Sequence, residues 1–151
     1  MKKIVAPILV SIVLISCNSH EKSRITLPLA ISEVNKIKQN SKLIESIKRG
    51  SEIYADFCIN CHLPNGKGVP KTFPPLAKSD YLMSNIEESM KGLKYGVSGE
   101  ISVNHEVYNG VMAAQGLSND EIADVMNYIL NSWGNSHDKL ITEEEVSGIE
   151  P

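Results

Sequence analysis

The stretch DFCINCHLPNGKG, residues 56–68, sets Cys58 and Cys61 two residues apart and places His62 directly after the second. A Cys-x-x-Cys pair serves three chemistries: a redox disulfide, half of a tetrahedral zinc site, or two thioether bonds to a haem whose iron takes the adjacent histidine. Each asks something different of the rest of the chain. Zinc needs two further ligands at a workable spacing, and a disulfide leaves His62 without a role. A haem in an electron carrier needs a second axial ligand from elsewhere.

The 151 residues suit one small domain with extensions, since single domains run to about 100–200 residues. Two Phe and one Trp make a thin aromatic core, to which a bound apolar cofactor would add burial. The opening MKKIVAPILVSIVLISC reads as an export signal. Lys2 and Lys3 form its charged region, Ile4 to Ile15 its apolar region, and the run is short for a spanning helix. Its junction Leu14, Ile15, Ser16, Cys17 resembles a bacterial lipobox, so residues 1–16 are expected to be a cleaved lipoprotein signal peptide and Cys17 the acylated N-terminus. Cleavage there removes two lysines and no acid, taking the formal charge from −3 to −5. An acidic, exported chain is a poor partner for nucleic acid. An oxidising compartment also argues against a cytosolic thioredoxin-like role. The expected location is the periplasm or cell envelope, held at the membrane through the lipid.

Residues 17–41 read as the lipidated N-terminus and a polar, partly helical tether, with any helix falling around Ala30 to Gln39. From Lys42 the pattern changes: Leu43, Ile47, Gly50, Tyr54 and Phe57 recur at steps of three or four, one face of a helix that runs into the cysteine pair. Leu63 to Pro75 carries four prolines and is an irregular loop. A second helix is expected to start at a Ser84 cap, with Ile86, Met90 and Leu93 on one face. The runs Ile101–Val103 and Val107–Tyr108 predict a small hairpin. The last helix has Ser118 and Glu121 as a capping box. Its stripe runs Ile122, Val125, Met126, Ile129, Leu130, Trp133, with Gly134 as its stop. These elements bound an expected domain at 42–134, followed by a polar, acidic, solvated tail at 135–151.

The two residues between the cysteines let both sulfurs reach one porphyrin while His62 reaches its iron. A thioether is a soft, neutral donor that suits the second axial position of a carrier. Met90 and Met126 fall on apolar helix faces, where a core role is expected, and Met83 just precedes the second helix. Met112 is placed in a loop between glycines, ahead of the capped last helix, and is the expected ligand. His105 is a possible competitor; His20 and His137 fall in the tether and the tail and are expected in solvent.

From Leu43 to Gly134 the chain resembles the class I, mono-haem cytochrome c family, in the manner of a small bacterial lipoprotein cytochrome c. TFPPLAKSDYL (72–82), VNHEVYNGVM (103–112) and YILNSWGN (128–135) carry the likeness. The resemblance implies an all-α fold, cytochrome c-like helices around one covalent haem c with a small β-hairpin near the haem edge. It implies that Gly50 and Tyr54 on the first helix face Tyr128 on the last. It also implies that the carbonyl of Pro74 or Pro75 takes the proton of the other His62 ring nitrogen. Ala113 and Ala114 stand where the family commonly has proline, and His105 where it has a glycine. The implied function is one-electron transfer through His62 and Met112 at the cell envelope, between a quinol-oxidising complex and a terminal oxidase or nitrogen-oxide reductase. The alternative is a haem enzyme or gas sensor in which peroxide, NO or CO displaces the methionine. The first is not an enzyme in itself, though it can be a subunit of an oxidoreductase complex.

Overall fold

A computed structural model describes residues 31–151 of the protein. The expected signal peptide, Cys17 and the expected tether up to residue 30 lie outside the described residues. The chain forms α1 (Ile31–Phe57), α2 (Ile59–His62), α3 (Asp80–Ser84), α4 (Ile86–Tyr95), β1 (Val97–Val103), β2 (Glu106–Met112), α5 (Asn119–Ile129) and α6 (Glu143–Ser147). The helical fold with one small antiparallel hairpin agrees with expectation.

The main packing is α1 across α5. Leu43, Ser46, Gly50 and Tyr54 recur on the buried face of α1, and Gly50 lets the helices meet backbone to backbone. A Cβ there would stand 2.0 Å from the Asp124 carbonyl oxygen and 2.8 Å from Tyr128 Cβ. The contact is fixed by polar groups as well. Arg49 grips the Asp124 carboxylate through Nε (2.5 Å) and a terminal nitrogen (2.7 Å), and Ser46 Oγ donates to the same group at 2.6 Å. That carboxylate raises the pKa of Arg49.

Helix α1 starts eleven residues before Lys42, so the end of the expected tether is a helix. The register signal is absent there because residues 33–42 are all exposed; Val34 and Ile37 face solvent. The expected Ser84 cap is also replaced. Ser79 caps α3, accepting the Leu82 N–H at 3.1 Å, and Ser84 is the last residue of that helix. Asn85 then breaks the chain direction at φ −132°, ψ 55° before α4. Met90 and Leu93 are buried on α4 as the pattern predicts.

The hairpin is longer than expected, pairing Val97 with Met112 at one end and Val103 with Glu106 at the other. Its two-residue turn puts Asn104 and His105 at φ 51° and 66°, the double left-handed geometry that matches strand twist. Asn104 Oδ1 accepts the Asp80 N–H (3.0 Å) while Asp80 Oδ1 accepts the Asn104 N–H (2.7 Å), tying the turn to the start of α3. Met112 is consequently the last residue of a strand and not a loop residue.

Helix α5 begins with the predicted Ser118–Glu121 capping box but ends at Ile129. Trp133 is off the helix, at φ 51°.

The solvated tail is the largest correction. Ile141, Val146 and Ile149 are buried in the core, and α6 packs on α5. Asn127, fully buried on α5, donates to the Ile141 carbonyl (2.8 Å) and accepts its N–H (2.9 Å), holding residue 141 at both polar atoms. Asn135 Nδ2 donates to the carbonyls of Ile129 (2.7 Å) and Leu76 (2.9 Å), and its Oδ1 accepts the Lys78 N–H (2.8 Å). His137, expected in solvent, is half-buried and its N–H donates to Asn131 Oδ1 at 3.2 Å.

Candidate functional site

The helix α1 hands directly on to the cysteine pair. Cys58 N–H still donates to the Tyr54 carbonyl at 3.0 Å, and His62 N–H to the Cys58 carbonyl at 2.9 Å. The motif is therefore a turn of near-continuous helix. That geometry places Cys58, Cys61 and His62 on the wall of one cavity. Both thiols are free, Cys58 buried and Cys61 exposed. Burial, with Cys61 beside it, pushes the Cys58 thiol up to about 11, so it is held as a neutral thiol.

The loop after the motif is braced by aromatic rings. Tyr54, Tyr128 and Trp133 stack in a triangle, with centroids 4.9 Å apart for Tyr54–Trp133 and 5.4 Å for the other two pairs. Tyr54 donates its hydroxyl proton to the Leu63 carbonyl (2.7 Å), and Trp133 Nε1 donates to the Pro64 carbonyl (3.2 Å). Gly66, at φ +66°, lies so close to the Trp133 ring that a Cβ would stand 2.4 Å from it. This support by Trp133 was not foreseen. Its signal was the aromatic residue directly before Gly134, which marks a chain reversal as well as a helix end.

His62 is half-buried, and its Nδ1 lies 3.0 Å from the Pro74 carbonyl oxygen. A carbonyl only accepts, so Nδ1 carries the proton and Nε2 keeps its lone pair. Burial lowers the pKa of His62, partly opposed by the Pro74 carbonyl, and this favours the neutral, ligating imidazole. Pro75 lines the cavity alongside Pro74.

Met112 lines the same cavity, as does Met126 from α5. The two differ in burial: Met126 is fully buried in the core, whereas Met112 is partly exposed. Met83 and Met90 are not on the wall, and neither is His105, which is exposed at the hairpin tip. The remaining wall is mainly apolar, with Leu76, Leu82, Leu93, Val103, Val125 and Ile129 among its residues. None of these could be assigned to a crevice from periodicity, which separates buried from exposed but not core from cofactor wall.

The residues fit a haem. An apolar slot carries two free thiols and a neutral imidazole nitrogen, with thioether sulfur also on its wall. When bound, a haem supplies an iron that takes up and releases one electron. Among the described residues no cluster of three or more His, Cys, Asp or Glu side chains could hold a metal ion directly, so the cysteine pair has no set of zinc co-ligands there.

Known proteins agree with this geometry. Residues 47–133 match the family described as Cytochrome c. Cytochrome c-552 of Thermus thermophilus is 41% identical over 106 residues, covering 64% of this chain and 80% of that protein. The cytochrome c subunit of an alcohol dehydrogenase (quinone) from Gluconobacter oxydans is 29% identical over 101 residues, covering 64% of this chain but 21% of that subunit. The fructose dehydrogenase cytochrome subunit of Gluconobacter japonicus is 25% identical over 113 residues, covering 71% of this chain and 23% of that subunit. A helix running into Cys-x-x-Cys-His, the histidine pinned by a proline carbonyl and a match over most of the folded part lead to one conclusion: the chain belongs to the cytochrome c family, with Cys58 and Cys61 at the attachment positions of a covalently bound haem c.

Proposed function

We propose that the protein is a one-electron carrier of the bacterial cell envelope, with His62 and Met112 as the two axial ligands of its iron. The observation that carries this is the sharing of one apolar cavity by Cys58, Cys61, His62 and the partly exposed Met112. Two protein ligands leave the iron no open position, and chemistry is then confined to outer-sphere transfer. Relatives named as cytochrome subunits of dehydrogenases support redox proteins as partners. A quinol-oxidising complex on one side and a terminal oxidase or nitrogen-oxide reductase on the other are the partners we assign.

Attachment to the membrane through acylated Cys17 completes the proposal. Helix α1 shortens the leash: residues 31–41 rise at 1.5 Å each, roughly 16 Å of rod. No described helix is long and apolar enough to cross a membrane.

The deciding experiment compares Met112→Ala with Met126→Ala in the holo-protein. Met112→Ala should lose the near-infrared sulfur-to-iron band, lower the reduction potential and admit CO in the reduced state. Met126→Ala should keep the band, and the unaltered protein should ignore CO. A band that survives in Met112→Ala moves the ligand role elsewhere, and CO binding by the unaltered protein favours the gas-sensor alternative. Mass spectrometry of the mature N-terminus decides the Cys17 anchor separately.

A further inference from the structure

The last turn of α4 and the glycine that ends it lie close against the hairpin end that carries Met112. Gln115 N–H donates to the Leu93 carbonyl at 3.3 Å. A Cβ on Gly96, which sits at φ +89°, would stand 2.9 Å from the Met112 carbonyl oxygen. A Cβ on Gly92 would stand 2.5 Å from Val97 Cγ2 and 3.9 Å from Met112 Cε. Any shift of this turn is therefore felt at Met112.

The same turn is gripped from its other side by the C-terminal segment. Lys94 Nζ donates to the carbonyls of Val146 (2.9 Å), Ile149 (3.1 Å) and Ser147 (3.4 Å). An ammonium has three protons, and each has a carbonyl here. The Tyr95 hydroxyl donates to the Ile149 carbonyl at 2.9 Å, and Lys94 Nζ lies 5.4 Å from the centroid of the Tyr95 ring, within cation–π range. The carbonyls are not free to follow the lysine, because Val146 and Ile149 are themselves buried in the core. They form a fixed cradle, and the lysine is the movable part fastened to it.

We propose that Lys94 is a positioning residue for the axial methionine: fastened to the carbonyls of Val146, Ser147 and Ile149, it clamps the last turn of α4 against Met112 and sets how readily Met112 leaves the iron. The inference rests on Met112 being the ligand. Its consequence is a carrier whose closed coordination is maintained by a segment outside the haem crevice.

Imidazole added to the oxidised holo-protein tests this, because it binds iron only when the methionine has let go. Its apparent affinity is the intrinsic affinity scaled by the released fraction. Lys94→Met, which keeps the alkyl stem and removes the donors, should bind imidazole about tenfold more tightly, the effect of losing roughly one charge-assisted bond from the clamp. Tyr95→Phe should shift affinity the same way by a smaller factor, and Lys94→Arg should stay close to the unaltered protein. Arg49→Met, which breaks the α1–α5 ion pair instead, should lower the denaturation midpoint while leaving imidazole affinity unchanged. Unchanged imidazole binding in Lys94→Met, or an equal shift in Arg49→Met, overturns the clamp. A near-infrared band that survives in Met112→Ala overturns the ligand assignment itself and the clamp with it, so the two failures are told apart.

Discussion

Gly50 shows how one missing methyl group sets the architecture. The nearest atoms to a Cβ there are backbone, Asp124 oxygen at 2.0 Å and carbon at 2.5 Å, and backbone cannot rotate aside as a side chain can. Gly50→Ala must push α1 and α5 apart, at a cost of about 3 kcal/mol, the upper part of the usual overpacking range. Because those helices hold the Cys-x-x-Cys-His turn and part of the opposite cavity wall, the displacement reaches the haem crevice. Gly148, just past α6, receives the same methyl differently: its nearest neighbours are the Glu144 and Glu145 carbonyl oxygens at 3.7 Å, ordinary contact. Chemical denaturation of the holo-proteins should find a lower midpoint for Gly50→Ala and one within about 0.5 kcal/mol of the unaltered protein for Gly148→Ala. Equal midpoints would mean that the crossing yields without cost.

At the scale of elements, α6 is short and depends on its first turn. Thr142 and Glu145 form a capping box, and Lys139 Nζ lies 2.6 Å from Glu145 Oε1. Lys139, followed by the N–H and hydroxyl of Thr142, holds the Glu145 carboxyl below its ordinary range. A depressed folded pKa adds stability that is complete above the unfolded value, about 4.3, and is lost as pH falls through the folded value. Amide exchange in residues 142–149 should therefore speed up below about pH 4 before that of α5 does, and Glu145→Gln should remove the pH step. If 142–149 and α5 open together at every pH, the segment has no titration of its own. This segment also marks where sequence patterns stop being informative. The Cys-x-x-Cys-His turn, the Ser118–Glu121 box and the hairpin were legible because each is a local pattern with a local cause. Ile141, Val146 and Ile149 stand too sparsely among acids to make a stripe, and what docks them is non-local: Asn127, a residue inside an apolar helix face, captures the backbone of Ile141, and Lys94 bonds the carbonyls of Val146 and Ile149. The N-terminal half of α1, expected only as a partly helical tether, has no readable bounds in the sequence for a related reason: its residues 33–42 are exposed and print no period. Cavity-wall residues looked like core because a haem crevice and a core both select apolar side chains.

For the molecule as a whole, the question is what the cavity mouth presents to a redox partner. Lys67, Lys71 and Lys78 lie in the loop after the Cys-x-x-Cys-His turn and Lys91 and Lys94 on α4, yet none of them lines the cavity. The Lys94 ammonium is committed to the C-terminal carbonyls, and the Lys78 side chain lies over Gly134, where a Cβ would stand 2.9 Å from Lys78 Cε. Among the described residues, the one carboxylate, lysine or arginine on the wall is Glu88, and the chain carries 18 acidic against 15 basic residues. The field near the mouth should accordingly be neutral to weakly negative. Two small reagents of opposite charge read this without any protein partner: ferricyanide oxidising the reduced holo-protein, and a tris-phenanthroline cobalt(III) cation doing the same. Steering by a basic ring would speed the anion by roughly 10-fold or more at low ionic strength, and its rate would collapse towards 1 M salt, where the screening length is about 3 Å. We expect the opposite sign: the ferricyanide rate holds steady or rises as salt is added, and the cobalt rate holds steady or falls. A ferricyanide rate that drops tenfold over that range would place lysine charge at the mouth after all, and Lys67, Lys71, Lys78 and Lys91, whose side chains make no hydrogen bond or ion pair among the described residues, would be the ones to replace first.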